Sequence, residues 1–333
     1  MHPHFLALEQ AKGATLTLTA DDHFPEAVHV VSAPEADALK FALAAKRPLL
    51  VRGEPGCGKS QLARVAAKIL GAGPPLVQVI HPRLEPSDLL YRFDAMARML
   101  DAQLGEKVGE KGGWDPSNEK YLEHGVLWDA FERSMQGQRH SVVLIDEIDK
   151  ADSDLPNSLL DVLGNRSFDV PMRSPERRRV VADPAFSPLV IFSTNEEREL
   201  PAAFVRRCIV LNLNPPADAK LLREWLRVRA TAHAARAGIV ADGVVELAVD
   251  QTLEDRLLMA GQGFPKVGLA EVVDLLNALA ELTRGVEPAQ RPDVQRRLLR
   301  QLSAYGLVKH PVVDPGQGRP VIPALAPAPA DRT

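Results

Sequence analysis

The sequence contains little of what several classes of protein require. Its two cysteines, Cys57 and Cys208, lie far apart without a CxxC spacing, so we expect no disulfide framework and reduced thiols. Aromatic residues form only 5% of the chain, which argues against a platform of many stacked nucleic-acid bases. The nine histidines show no metal-ligand spacing. The formal net charge of −4 argues against a basic nucleic-acid-binding protein, although that average can hide a local patch.

Signals for a membrane or a secretory route are also missing from the sequence. No apolar run reaches 18 residues, so no transmembrane helix is expected. The residues from Met1 to Phe5 do not form a basic region followed by an apolar stretch, so we expect no signal peptide. Together with the reduced thiols, these absences predict a cytoplasmic protein without membrane insertion.

Apolar runs alternate with helical patterns over the first two thirds of the 333 residues. This alternation predicts an α/β fold with a mostly parallel sheet that is covered on both faces. The five runs that we interpret as buried strands are 48–53, 76–80, 142–145, 189–193 and 208–213.

The pattern changes after Pro215 and Pro216, where we place a domain boundary. The four segments that we predict as amphipathic helices without an intervening strand are 217–236, 242–260, 268–284 and 288–304. Proline, alanine and glycine dominate the residues that follow, so a disordered tail is predicted for 307–333. The N-terminal extension, 1–34, is weakly patterned apart from the alternating Thr15–Thr19, which predicts a short strand.

A glycine-rich motif lies between a predicted strand and a predicted helix. It fits G-x-x-x-x-G-K-[ST] and consists of Gly53, Glu54, Pro55, Gly56, Cys57, Gly58, Lys59 and Ser60. Its backbone N–H groups are expected to surround phosphates at a helix N-terminus, with Gln61 as the next residue of the site. Lys59 would reach the β- and γ-phosphates, and the Ser60 hydroxyl would bind Mg²⁺. Cys57 is either a small residue that fits the loop or a reactive thiol.

An apolar strand that ends in two carboxylates follows 86 residues later. Asp146 would hold Mg²⁺ through its water shell, and Glu147 would orient and deprotonate the attacking water. Alone, such a strand end could be a solvated acidic turn, but together with the glycine loop it indicates nucleotide hydrolysis.

Four more residues are candidates for the same chemistry. Asn195 ends a buried strand and could bind the lytic water, or it could simply form a turn. The adjacent Arg206 and Arg207 are either a solvated face or the source of an arginine finger for a neighbouring subunit. Lys266, at the start of a predicted helix, could approach the γ-phosphate or remain a surface lysine.

In this order the motifs resemble the AAA+ ATPases over roughly 35–285. Within that superfamily, Pro86–Leu90 followed by Gly125–Trp128, together with Asp146–Asp152, resembles the MoxR-like family. The resemblance implies a P-loop NTPase αβα sandwich with a five-stranded sheet at 35–214, then a small all-α lid at 215–306. It implies a helix 2 insertion at 84–125 and a hairpin at 168–182. Asn195 falls at the sensor 1 position, and Arg207 falls at the finger position with Arg206 as its alternative. Lys266 falls at the sensor 2 position, where the superfamily usually has arginine, and an ammonium lacks the guanidinium fork.

The resemblance also implies a function and partners. Such proteins bind and hydrolyse ATP with Mg²⁺ as homo-oligomeric, typically hexameric, rings, and they remodel or activate another protein, often one with a von Willebrand A domain. Two other functions stay open. One is a nucleic-acid motor, which is kept open by a cluster of basic residues in the predicted hairpin: Arg173, Arg177, Arg178 and Arg179. The other is a nucleotide-gated scaffold that hydrolyses little ATP. The presence of Glu147 and Arg207 argues against the scaffold.

Overall fold

The computed structural model describes residues 3–103, 116–137, 140–261 and 264–307. Its α-helices are α1 (Pro3–Gln10), α2 (Ala33–Ala45), α3 (Lys59–Ile69), α4 (Ala95–Gln103), α5 (Val126–Gly137), α6 (Asp154–Asn165), α7 (Ala202–Val205), α8 (Ala219–Ala237), α9 (Asp242–Gly261), α10 (Leu269–Leu282) and α11 (Arg291–Gly306). Its strands are β1 (Thr15–Leu18), β2 (Ala27–Val30), β3 (Leu49–Arg52), β4 (Leu76–Val79), β5 (Tyr91–Phe93), β6 (Leu122–His124), β7 (Val142–Asp146), β8 (Ser167–Asp169), β9 (Arg179–Val181), β10 (Leu189–Thr194) and β11 (Ile209–Asn212).

The chain divides into two compact units. Val31–Glu54 and Gly58–Leu213 form the first unit with the residues up to Glu26, and the second contains Ala27–Val30, Pro55–Cys57 and the residues from Asn214 onward. None of the helices within the described ranges is long and apolar enough to cross a membrane.

A five-stranded sheet lies at the centre of the first unit, in the order β11-β3-β10-β7-β4. All four pairings are parallel, with Leu49 beside both Ile191 and Ile209, and Val143 beside both Leu76 and Val190. The five strands correspond to the five predicted ones, and the predicted fold class, α/β with a helical C-terminal region, is confirmed.

The three central strands β3, β10 and β7 are buried on both faces of the sheet, because successive side chains of a strand point to opposite faces and most of these are apolar. Leu50, Ile145 and Phe192 belong to one core with α5 and α6, in which Trp128 is the largest side chain. The intervening residues, such as Leu49, Leu144 and Ile191, are fully buried on the other face. Helix α3 packs against β7 and β10, and α2 packs against β3 and β11.

Local signals explain several element boundaries. Helix α2 begins with a capping box in which Ser32 accepts from the Glu35 N–H and the Glu35 carboxylate accepts from the Ser32 N–H. Helix α8 begins at Asp218, whose carboxylate accepts the Leu221 N–H at 2.9 Å. The antiparallel hairpin of β8 and β9 lies where the sequence predicts a hairpin.

The second unit contains the four long helices α8 to α11 near the predicted boundaries. Their apolar faces enclose one core, which includes Leu226, Val249, Leu276 and Leu299. Leu307, placed at the start of the predicted tail, is also buried in it. The rest of that tail prediction, 308–333, lies outside the described residues.

The sequence analysis missed several short elements. Helix α1 and strand β2 lie in the weakly patterned N-terminal extension. Within 84–125, the predicted helix 2 insertion, the structure has the antiparallel pair β5–β6 and helix α4. Residues 104–115 of that segment are not described. These elements have three to nine residues, too few for periodicity to distinguish them from loops.

Candidate functional site

The candidate site lies at the carboxyl edge of the sheet, where β3, β10 and β7 are neighbours. Thr194 of β10 is paired with Arg52 of β3, and Phe192 is paired with Ile145 of β7. The glycine loop follows β3, Asp146 and Glu147 end β7, and Asn195 follows β10. Parallel pairing therefore brings together three motifs that are far apart in sequence, at the edge where ligands bind in open α/β sheets.

Two glycines of the glycine loop have a backbone conformation that residues with a side chain rarely adopt. Gly56 and Gly58 have φ angles of 76° and 102°, in the left-handed region that glycine adopts without steric cost. Gly58 caps helix α3 without a side-chain hydrogen bond, so no side chain occupies the first N–H groups of this helix. An uncapped N-terminus that follows a glycine loop can bind phosphate through its N–H groups and its dipole.

Lys59 is the first residue of α3, and only 7% of it is exposed. Its ammonium donates to the carbonyls of Gly53 at 2.8 Å and Glu54 at 2.9 Å. These contacts satisfy a buried cation, and they hold its charge at the loop, where it can meet a phosphate.

A chain of hydrogen bonds links the loop to the acidic strand end. The Ser60 hydroxyl donates to Oδ2 of Asp146 at 2.8 Å, and the Ser193 hydroxyl donates to Oδ1 of the same carboxylate. The Ser193 oxygen in turn accepts the Glu147 N–H at 2.9 Å. A hydroxyl and a carboxylate this close fit Mg²⁺, which binds proteins through one or two oxygen groups together with phosphates.

Glu147 has a strained backbone. Its φ and ψ angles are 61° and 47°, a left-handed conformation that costs a residue with a side chain about 1–3 kcal/mol. Its carboxylate accepts from the Lys150 ammonium at 2.7 Å, and this hydrogen bond raises the pKa of Lys150. Both side chains are partly exposed, so the carboxylate remains accessible to solvent.

Asn195 lies immediately after β10 and is partly buried. Its backbone N–H donates to the Asp149 carboxylate at 3.2 Å, whereas its side-chain amide has no hydrogen bond to the described residues. The amide is therefore available to bind a water molecule or a phosphate oxygen.

Ser193 and Asp149 are two contributors that the sequence analysis did not assign. Ser193 follows the apolar residues of β10, and this polar residue at the end of an apolar run was the signal available in the sequence. In the structure it is 1% exposed. Asp149 is 2% exposed, and its Oδ2 accepts the N–H groups of Asn195 at 3.2 Å and Glu197 at 3.0 Å. It joins the turn after β7 to the end of β10, so it fixes the backbone that carries Asn195.

Replacing Asp149 with alanine is expected to lower the free energy of unfolding by about 2–4 kcal/mol. The change leaves two partly buried N–H groups without their charged acceptor, and each such loss costs about 1–3 kcal/mol. Urea unfolding followed by circular dichroism would measure this loss. Asp152→Ala is the matched control, because Asp152 is exposed three residues further on. Equal stability of the two variants would contradict the role of Asp149.

The remaining residues of the predicted glycine-loop set have other surroundings. Gln61 accepts from Arg64 Nη1 at 2.8 Å, which ties its side chain to its own helix. Cys57 is 4% exposed, which favours a small residue that fits the loop over a reactive thiol. Burial raises the pKa of Cys208 to about 12, which keeps this thiol protonated and unreactive. Lys266 is exposed in the second unit, so its part at the nucleotide stays a prediction.

Arg206 and Arg207 lie at the opposite, amino edge of the sheet, just before β11. Both side chains are exposed, and neither guanidinium makes an ion pair or a hydrogen bond with the described residues. Asn212 is paired with Arg52, whereas Arg207 precedes Ile209 at the other end of β11, so the length of this strand separates Arg207 from the level of the glycine loop. The structure does not bring these arginines to the glycine loop of their own chain.

The arginine cluster of the hairpin makes internal contacts. Arg173 lies over the Trp128 ring at 5.0 Å, and both Arg173 and Arg177 pair with Glu119. Arg178 donates to a carbonyl at 3.4 Å, and Arg179 donates to a serine hydroxyl at 2.8 Å. This engagement leaves the cluster less suited to bind nucleic-acid phosphates.

Comparison with known proteins agrees with this geometry. The chain is 33% identical over 141 residues to the chaperone protein ClpB 1 of Nostoc sp., a match that covers 41% of this chain and 14% of that protein. Structures of NtrX from Brucella abortus with ADP and with ATP give TM-scores of 0.43 and 0.42 at 17% and 18% identity. They cover 78% of this chain and 52% and 53% of theirs.

The chain thus spans only a small part of the curated relative that it matches. The family model that matches is the AAA domain of the dynein-related subfamily, over residues 48–208. This range contains the glycine loop, Asp146, Glu147 and Asn195, and it includes four of the five strands of the central sheet. Residues 48–208 of this chain are therefore similar to the AAA domain of the dynein-related subfamily.

Proposed function

We propose that this protein is a MoxR-like AAA+ ATPase that hydrolyses ATP with Mg²⁺ in a homo-oligomeric ring and uses the energy to remodel or activate a partner protein. The observation that carries the proposal is the hydrogen-bonded series Ser60, Asp146, Ser193 and Glu147 beside the glycine loop. This series supports the proposal, because the pair proposed to bind the metal and the proposed general base lie next to the loop that would bind phosphate.

Each residue has a distinct part in this reaction. The loop N–H groups and Lys59 bind the phosphates, and Ser60 and Asp146 would hold Mg²⁺, which reduces the charge on the transferring phosphoryl group. Glu147 takes the proton of the attacking water once its carboxylate leaves Lys150, and Asn195 orients that water. Ser193 holds Asp146 and the Glu147 backbone in their relative positions.

An oligomer is proposed because Arg206 and Arg207, the two candidate finger residues, lie at the edge of the sheet opposite to the glycine loop of their own chain. Arg207 is exposed and unpaired within the described residues, and the length of β11 separates it from the level of its own glycine loop. A neighbouring subunit that faces this edge would receive Arg207, or Arg206, as an arginine finger. A hexameric ring, as the MoxR-like resemblance implies, repeats this arrangement at every interface.

The partner is proposed to be a protein, in line with the similarity to a ClpB chaperone and with the MoxR-like motifs, for which a von Willebrand A domain partner is expected. The nucleic-acid motor has less support, because the net charge is −4 and the hairpin arginines are engaged internally. The scaffold reading has less support because the general base and the finger are both present.

Steady-state ATP hydrolysis per chain, measured with Mg²⁺ over a wide range of protein concentration, tests the proposal. We expect the specific activity to rise steeply and then reach a plateau, because the sites are completed only between subunits. A Lys59→Ala variant measured in parallel reports contaminating ATPases. A flat profile from a chain that sizing shows to be monomeric would contradict sites shared between subunits, and no activity at any concentration would contradict the ATPase itself.

A further inference from the structure

Arg47 lies beside the segment that carries the two candidate finger residues. It directly precedes Pro48 and β3, while Arg206, Arg207 and Cys208 directly precede β11. The two strands are parallel neighbours, and the Ile209 N–H donates to the Pro48 carbonyl at 2.8 Å. The pairing thus brings the end of α2 next to the end of α7, although about 160 residues separate them in sequence.

The Arg47 guanidinium contacts three consecutive carbonyls of this segment. Its Nε donates to the Arg207 carbonyl at 2.9 Å, and its Nη2 donates to the Arg206 carbonyl and, at 3.5 Å, to the Cys208 carbonyl. Arg206 is the C-cap of α7, where carbonyls lack intrahelical partners and carry partial negative charge. A planar guanidinium can span such a row, whereas an ammonium offers a single charged point.

The segment is anchored on its other side by Phe204. This side chain is fully buried and meets the Phe192 ring edge-to-face at 5.0 Å. Arg47 is fixed as well, because its N–H donates to the Ala42 carbonyl at 3.0 Å in the turn that ends α2. The backbone of Arg206 and Arg207 is thus held from both sides, while their side chains extend into solvent.

We infer that Arg47 is a positioning residue for the arginine finger: by binding the carbonyls of Arg206, Arg207 and Cys208, it sets the direction in which Arg207 leaves the subunit. This inference rests on the proposed function, because the finger acts on the nucleotide of a neighbouring subunit. Arg47 itself does not touch that nucleotide.

The first test does not depend on activity. In Arg47→Ala, amide hydrogen exchange of the peptide 201–208 is expected to become at least about tenfold faster than in the wild type, because the end of α7 loses one of its two anchors. Lys46→Asn is the matched control. Lys46 has a left-handed backbone that asparagine tolerates. Its ammonium donates to the Pro184 carbonyl rather than to the finger segment, Arg206–Cys208. Unchanged exchange in Arg47→Ala would overturn the inference, whatever the ATPase assay shows.

The second test uses turnover. Arg47→Ala is expected to lower kcat about 100-fold with unchanged ATP affinity, because misplacing a catalytic group by about 1 Å can cost that much. In an Arg207→Ala background the same change should cause no further loss, since the finger is already absent. Arg47→Lys should recover part of kcat. Losses that multiply in the double variant, or a fall in ATP affinity, would show a merely structural role and overturn the inference.

These readouts separate this inference from the proposed function. If the wild type hydrolyses no ATP, the proposed function fails, while the exchange experiment still decides whether Arg47 anchors the segment. If Arg207→Ala lowers turnover but Arg47→Ala leaves both exchange and turnover unchanged, the finger stands and only the role of Arg47 is overturned.

Discussion

Glu147→Gln is expected to reduce steady-state turnover by about 10²–10⁴-fold, the range that a positioned general base contributes, and to leave ATP binding intact. Glutamine keeps the size of the side chain but cannot accept a proton from water at neutral pH. The carboxylate takes no part in the hydrogen bonds of Ser60, Asp146 and Lys59, so the phosphate and metal groups remain in place. Single-turnover hydrolysis and equilibrium binding of a fluorescent ATP analogue would separate the two effects.

A nearby carboxylate provides a sharp control for this prediction. Glu197 lies close enough to Lys150 to contribute to the raised pKa of its ammonium, and its side chain is exposed. We expect Glu197→Gln to change turnover less than threefold, an estimate that follows from the small energies of exposed charge pairs. A result in which Glu147→Gln stays active while Glu197→Gln does not would transfer the role of base to Glu197.

Glu147, whose carboxylate pairs with the Lys150 ammonium, is one of two residues with a strained backbone at this edge of the sheet. Glu147 has a left-handed backbone, and Glu196, just after the neighbouring strand β10, has a similar φ of 60°. Two non-glycine residues in this conformation at adjacent strand ends are a local cost that the buried contacts of Asp149 and Ser193 help to offset. Strained residues of this kind cluster at functional sites, which agrees with a base that must change partner during turnover.

The motifs on contiguous sequence were the predictable part of this protein. The glycine loop needs only glycines, a lysine and a serine in fixed order between a strand and a helix, and the acidic strand end needs only an apolar run before Asp146. The five strands of the sheet were predictable for the same reason, because each is a short run of mainly apolar residues, and the three central strands are buried on both faces.

The side chains that hold these motifs in position, such as Ser193 and Arg47, could not be predicted, because their contacts depend on how the strands pair across the sheet. Ser193 meets Asp146 only because β10 lies beside β7 in a particular register, and 47 residues separate the two. Arg47 reaches the finger segment only because β3 lies beside β11. A one-residue change of register would turn these side chains to the other face of the sheet, and no local pattern encodes that choice.

Arg207→Ala is expected to lower turnover by about 10³-fold or more, the effect of an arginine finger in other NTPases, with ATP affinity nearly unchanged. Removal of an exposed side chain without partners among the described residues should leave the fold intact. Arg206→Ala is the matched control, because Arg206 is equally exposed and one residue earlier. If Arg206→Ala causes the loss and Arg207→Ala does not, the finger is Arg206.

Mixing two inactive variants tests whether the finger acts between subunits. An Arg207→Ala chain retains its base, and a Glu147→Gln chain retains its finger, so a mixed ring contains interfaces at which both are present. We expect the mixture to regain a measurable fraction of wild-type turnover, with a maximum near equal amounts, whereas each variant alone stays inactive. A mixture as inactive as its parents, although sizing shows that the chains co-assemble, would mean that Arg207 and Glu147 do not serve the same site across an interface.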